Sequence, residues 1–297
     1  MSYGALGKHV AVAFAYAATY EVLRYFSSSL WMLPASLRVA CLLLVPRTYW
    51  IALVMGDFLP VAQLGLMNAD RFGVPWATLV AIPPILFYMP ATMFLQKQMR
   101  LTVNDGRLHA AMILGMMFLC SVMNSLINML AFVTIVMHDG SPRPEGSLWL
   151  FCSWTLGYYL GALTFVPLVI ALRSHMIRLD TAQRWEDSRR IRLIRDIVFV
   201  MLPISVIFIL VAHASITPTM TWIRCLVIIP VALISRRHGW TGAALCATLG
   251  SIAVTTSHIA QRDPTTIPAE LILAATVSVC LLLSRETGLI QRHRLVA

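Results

Sequence analysis

Charge is scarce in this sequence. Asp, Glu, Lys and Arg make up 12% of its 297 residues, about half the share usual in a soluble domain. A water-soluble chain of this length would need far more polar surface to cover its core. No stretch is long and polar enough to form a separate soluble domain. Catalytic signatures are missing as well: there is no Walker sequence, no HExxH, no GxSxG, and no His followed by an acid at a helical phospho-acceptor site. The six cysteines include no CxxC pair and no His at ligand spacing, which leaves neither a metal site nor a redox motif. They read as small apolar residues in helix packing. A cleavable signal peptide is also missing, because the first apolar run carries Glu21 and Arg24 near its end and lacks a small-residue cleavage site. No catalytic residue, cofactor or metal ligand is therefore predicted.

Apolar length is what the chain has in quantity. Hydrophobic residues form 59% of it, in runs close to the ~20 residues that a helix needs to cross a bilayer. The pattern predicts an all-α, polytopic transmembrane helix bundle of about ten spans, forming one integral-membrane domain over residues 1–297. The first five spans are His9–Phe26, Leu30–Val45, Thr48–Leu66, Val74–Leu95 and Leu108–Met137. Ser147–Leu172, Leu193–His213, Thr219–Ser235, Trp240–Ala260 and Ile267–Ser284 follow. Pro83, Pro84 and Pro90 should kink the fourth, since proline removes a backbone donor that something else must compensate. Such a kink marks either a pocket or ordinary kinked packing.

The net charge of +10 is distributed as a membrane protein distributes it. With the N-terminus in the cytoplasm, 17 of the 23 Lys and Arg fall in inner segments and three in outer ones. That asymmetry follows the positive-inside rule and puts both termini in the cytoplasm. It also argues against nucleic acid as a partner. The longest polar stretch, Arg173 to Arg192, joins the sixth and seventh spans on the inner side. It reads either as a helix on the anionic inner leaflet or as a solvated loop.

Ionisable residues inside the bilayer are costly unless they meet a partner or water, so each is a candidate for function. Arg38 and Asp57 lie well inside the second and third spans, whereas Glu21, Arg24, Arg224, Glu270, His213 and His258 lie nearer outer ends. Arg38 stands nine residues before Arg47, and Asp57 ten after it. At ~1.5 Å per residue both lie roughly 14 Å from the turn, at matching depth on adjacent antiparallel helices. The two charges are therefore predicted to meet. The pair either fixes packing alone or also lets Arg38 contact an anionic ligand.

The stretch LPASLRVACLLLVPRTYWIALVMGDFLP resembles the signature of the membrane-associated sensor (MASE) domains of the first type. The matching positions are Pro34, Leu37, Arg38, Pro46, Arg47, Tyr49, Trp50, Gly56 and Asp57. A second stretch, SWTLGYYLGALTFVPLVIAL, is similar through Trp154, Gly157, Gly161 and Pro167, although Tyr158 stands where many members carry Asp. A third, IIPVALISRRHGWTGAALCATLGSIA, is similar through Pro230, His238, Gly239, Trp240, Gly242 and Ala243. The last part also looks like the sensor half of bacterial hexose-phosphate histidine kinases.

The resemblance implies a non-catalytic sensory module in the bacterial inner membrane. It would detect a small ligand or a transporter-like membrane partner and relay the signal through its last helix. Relatives join this sensor to a histidine kinase or diguanylate cyclase, through which they would form homodimers. Here the chain stops at Ala297, before any output domain. The residues expected to bind ligand or carry the signal are Arg38, Asp57, Trp50, Tyr49, Arg224 and Glu270. A secondary transporter of a small anionic solute is the competing reading, but the two halves of the chain show no internal repeat. An intramembrane enzyme would need a nucleophile–base pair or a metal cluster, and neither is apparent.

Overall fold

The computed structural model describes residues 3–27, 31–101, 106–137, 146–179, 186–214, 228–256 and 266–283. These residues are helical, with no strand among them. In chain order the helices are α1 (Tyr3–Phe26), α2 (Leu33–Leu44), α3 (Trp50–Phe72), α4 (Val74–Val80), α5 (Ile85–Leu101) and α6 (Gly106–Val133). Next come α7 (Leu148–Leu179), α8 (Glu186–Asp196), α9 (Leu202–Ala214), α10 (Ile228–Thr256) and α11 (Thr266–Leu283). A 3-10 turn, Arg47–Tyr49, leads into α3, and a π-helical segment, Ile197–Met201, joins α8 to α9.

Four segments are long and apolar enough to cross a membrane: Arg47–Phe72, Val74–Gln98, Ala110–Val133 and Leu148–Arg173. Each matches one of the spans read from the sequence. Shorter apolar helices are Leu33–Leu44 and Glu270–Leu283. Large apolar side chains such as Phe14, Ile51, Leu66 and Phe94 stand exposed on the outer faces. In water such surface would be an aggregation hazard; against lipid it is the proper solvent-facing surface.

Local chemistry explains where the helices break. Pro34 sits in the first turn of α2, where a missing N–H costs nothing. Pro83 and Pro84 do more than kink the fourth predicted span. They end α4 and start a new helix at Ile85. Pro60, Pro90 and Pro167, by contrast, remain inside α3, α5 and α7. The eighth and ninth predicted spans meet in a single element, α10, which bends at Gly239 without a connecting loop. The start of that eighth span, Thr219 to Val227, lies outside the described residues. Within the basic stretch from Arg173 to Arg192, α7 continues to Leu179 and α8 begins at Glu186, so the described part is helix.

The chain divides into two compact units. The first comprises Met1–Lys97 with Met116–Tyr158, and the second Gln98–Gly115 with Tyr159–Ala297. In the first, α1 packs on α3 and on α2, and α3 packs on α4. Leu42, Leu53, Ile85, Tyr88 and Met117 form its fully buried centre. The approach of α1 to α3 depends on Gly56, where an added Cβ would stand 2.6 Å from the carbonyl oxygen of Ala13. In the second unit, α10 packs along α11, α9 and the π-helical segment, around Met201, Ile234, Leu273 and Leu281.

Candidate functional site

The first unit gathers its buried polar groups around one ion pair. Arg38, on α2, donates from Nε to both carboxylate oxygens of Asp57, on α3, at 3.0 Å each. Arg38 is 3% exposed and Asp57 0%, so neither charge is screened by solvent. Two opposite charges at this depth neutralise one another where either alone would be intolerable. The predicted meeting of Arg38 and Asp57 is what the structure shows.

Asp57 is a fully committed acceptor. The Tyr16 hydroxyl, from α1, donates to its Oδ1 at 3.1 Å. The backbone N–H of Ile85, the first residue of α5, donates to Oδ2 at 3.2 Å. This last contact gives the proline pair its purpose. Prolines carry no N–H, so Ile85 offers the first free donor of α5. A carboxylate placed there caps the new helix and meets the positive end of its dipole. One side chain thus ties α1, α2, α3 and α5 together.

The remaining edge of Arg38 is held less firmly. Its Nη1 donates to Asn124 Oδ1, on α6, and its Nη2 to the Tyr20 hydroxyl, on α1, each at 3.4 Å. These are long for N–H···O bonds, and both acceptors are neutral. The guanidinium carbon also lies 5.4 Å from the centroid of the Tyr20 ring, a cation–π contact. Asn124 Oδ1 has a second donor, the hydroxyl of buried Tyr88, at 3.1 Å. One turn further along α6, the Asn128 amide donates to the hydroxyl of Tyr158. Tyr158 therefore supplies a buried, hydrogen-bonded group beside α6.

The other predicted site residues fall elsewhere. Tyr49 and Trp50 sit at the turn between α2 and α3. The Tyr49 ring lies 5.0 Å from that of His9, and Trp50 donates from Nε1 to the Val45 carbonyl at 3.3 Å. Arg47 reaches over the Trp50 ring at 5.7 Å and donates to Gln96 Oε1 at 2.8 and 3.1 Å. These contacts build the turn and do not enter the Arg38 network. Glu270 is buried in the second unit, near the start of α11. Glu21 and Arg24 pair with each other along α1 at 3.4 Å, both part-exposed. Arg224, His258, Arg285, Arg292 and Arg294 lie outside the described residues.

Sequence reading missed Tyr16, Tyr20, Tyr88, Asn124 and the Ile85 amide. Two of these had a legible signal: Tyr16 and Tyr20 are four residues apart, on one face of α1. Asn124 is a polar residue midway along an apolar run, but nothing local connects it with a residue 86 positions away.

A neutralised ion pair enclosed by apolar helices, in a chain with four segments long and apolar enough to cross a bilayer, belongs to a helical integral-membrane domain. The chain is a member of the MASE1 family of membrane-associated sensor domains, whose model matches residues 7–289, nearly its whole length. This confirms the resemblance carried by the three sequence stretches, and the match runs through both compact units. The family is sensory and non-catalytic. Neither a curated protein nor a solved structure matches it.

Proposed function

We propose that this chain is the ligand-sensing half of a bacterial signalling protein, with Arg38 as the residue that meets the stimulus. The observation that carries this reading is the uneven commitment of the guanidinium. Its Nε edge is spent on Asp57 at 3.0 Å, while its Nη edge rests on two neutral oxygens at 3.4 Å. A carboxylate or phosphate is a stronger acceptor than an amide or a phenol, and it fits that edge bidentately. An anion arriving there would displace Tyr20 and Asn124, and with Asn124 it would release Tyr88. The link of α1, α5 and α6 to the Nη edge of Arg38 would be lost, while Asp57 kept its hold on α1, α2 and α5.

The stimulus is a small anionic ligand or an anionic group on a transporter-like membrane partner. The response passes through the last helix to a cytoplasmic kinase or cyclase, through which the protein dimerises. About ten crossings of the inner membrane, with both termini cytoplasmic, complete the proposal; the 17-to-3 partition of basic residues supports it.

The charge-swapped variant, Arg38→Asp with Asp57→Arg, tests the ligand role in this chain joined to an output domain. Restored folding without restored signalling is the expected result. Recovery of both would reduce the pair to a packing device and refute the ligand role.

A further inference from the structure

Two irregular pieces of backbone in the second unit begin at residues that are bonded to each other. The first is the π-helical segment Ile197–Met201, inserted between α8 and α9. Such segments are rare and are frequently found at functional sites. The second is the bend of α10 at Gly239, with φ 64° and ψ −144°. A side chain is strongly disfavoured in that conformation, so glycine is required there. Asp196 immediately precedes the π-helical segment, and His238 immediately precedes the bend. His238 Nε2 lies 2.9 Å from Asp196 Oδ2. A carboxylate only accepts, so Nε2 carries the proton.

The surroundings single this contact out. The side chains of Asp196 and His238 are 13% and 14% exposed. Two arginines flank the same carboxylate from the rim: Arg237 Nη1 at 3.6 Å and Arg195 Nε at 4.0 Å, with side chains 68% and 63% exposed. The shielded His–Asp bond is the geometrically strong one, and the arginines add exposed, screened attraction. The bent helix also packs along the π-helical segment and α9.

Each irregularity has an alternative state. A π-turn relaxes to α by a one-residue shift, which moves the following helix by ~1.5 Å and rotates it by about 100°. A glycine bend straightens by rotating φ and ψ at one residue. We propose that Asp196 and His238 form a clasp that couples the π-turn to the Gly239 bend, so that the two segments change together. The second unit then contains a relay in which a shift of α9 is felt beyond Gly239, along α10, which packs on α11. This relay is independent of what binds at Arg38.

Hydrogen exchange of the full chain in lipid nanodiscs tests the coupling, using peptides that cover residues 197–201 and 239–243. Asp196→Ala and His238→Ala should each raise exchange in both segments, by ~10-fold for loss of a hydrogen bond to a charged group. Combining them should add nothing further. The exchanged pair, Asp196→His with His238→Asp, should restore slow exchange in both. If His238→Ala accelerates only 239–243 and leaves 197–201 at the wild-type rate, the clasp does not couple them and the proposal is overturned. Should the clasp variants fail to fold, Gly239→Ala opposes the bend while keeping the clasp atoms. Altered exchange at 197–201 is then expected, and unchanged exchange there would overturn the proposal.

Discussion

Removing the Asp57 carboxylate strips four contacts from one buried point. Asp57→Ala leaves the Arg38 guanidinium 3% exposed with its anion gone, and it strands the Tyr16 hydroxyl and the Ile85 amide. An uncompensated buried charge costs ~3–5 kcal/mol. The orphaned amide and hydroxyl add about 1–3 kcal/mol each, because a buried donor that loses its acceptor bears its full desolvation cost. The apolar double variant, Arg38→Met with Asp57→Leu, removes both charges. Replacing a buried pair with apolar groups is itself close to neutral. The double variant therefore keeps only the cost of the orphaned amide and hydroxyl, about 1–3 kcal/mol each. The expected order is wild type, then the double variant, then Asp57→Ala, a ranking that no surface ion pair would produce. Unfolding of the full chain in nanodiscs, at fixed lipid composition and heating rate, reads this order. A single variant within ~0.5 kcal/mol of wild type, inside the range of an inert surface change, would refute the reasoning. So would a double variant less stable than Asp57→Ala.

Gly56→Ala should lower stability by ~1–3 kcal/mol through overpacking, since its Cβ would stand 2.6 Å from the Ala13 carbonyl oxygen and 3.0 Å from Tyr16 Cδ1. Thermal unfolding unchanged from wild type would show that α1 does not approach α3 this closely. Tyr158→Phe removes the acceptor of the Asn128 amide and should cost about 1 kcal/mol, read in the same unfolding assay. The purified chain should not autophosphorylate with labelled ATP, because it carries no nucleotide motif. Reporter fusions after Met99, Gln183 and Val296 should read as cytoplasmic, and those after Asn68, Gly140 and Pro264 as periplasmic. Two or more reversals would refute the ten-crossing topology.

Hydropathy was enough to establish an all-helical membrane domain, because it depends on local composition, and three stretches of motif residues carried the family. The Arg38–Asp57 pair was legible for the same kind of reason. A tight turn makes its two helices antiparallel neighbours, and residue rise alone sets their relative depth. What completes the cluster was not legible. Tyr88 and Asn124 reach it from α5 and α6, and only packing decides which face of an apolar helix turns inward. The role of the proline pair was open for a related reason. Sequence predicts a lost donor at Pro83 and Pro84, but only the fold places a carboxylate over the Ile85 amide. Asp196 and His238 lie 42 residues apart, one in the stretch that reads as the seventh span and the other in a stretch that reads as a family motif. No periodicity links them. Their contact exists because α10 packs back along the π-helical segment, and a hydrogen bond across 42 residues of chain is a property of tertiary structure alone.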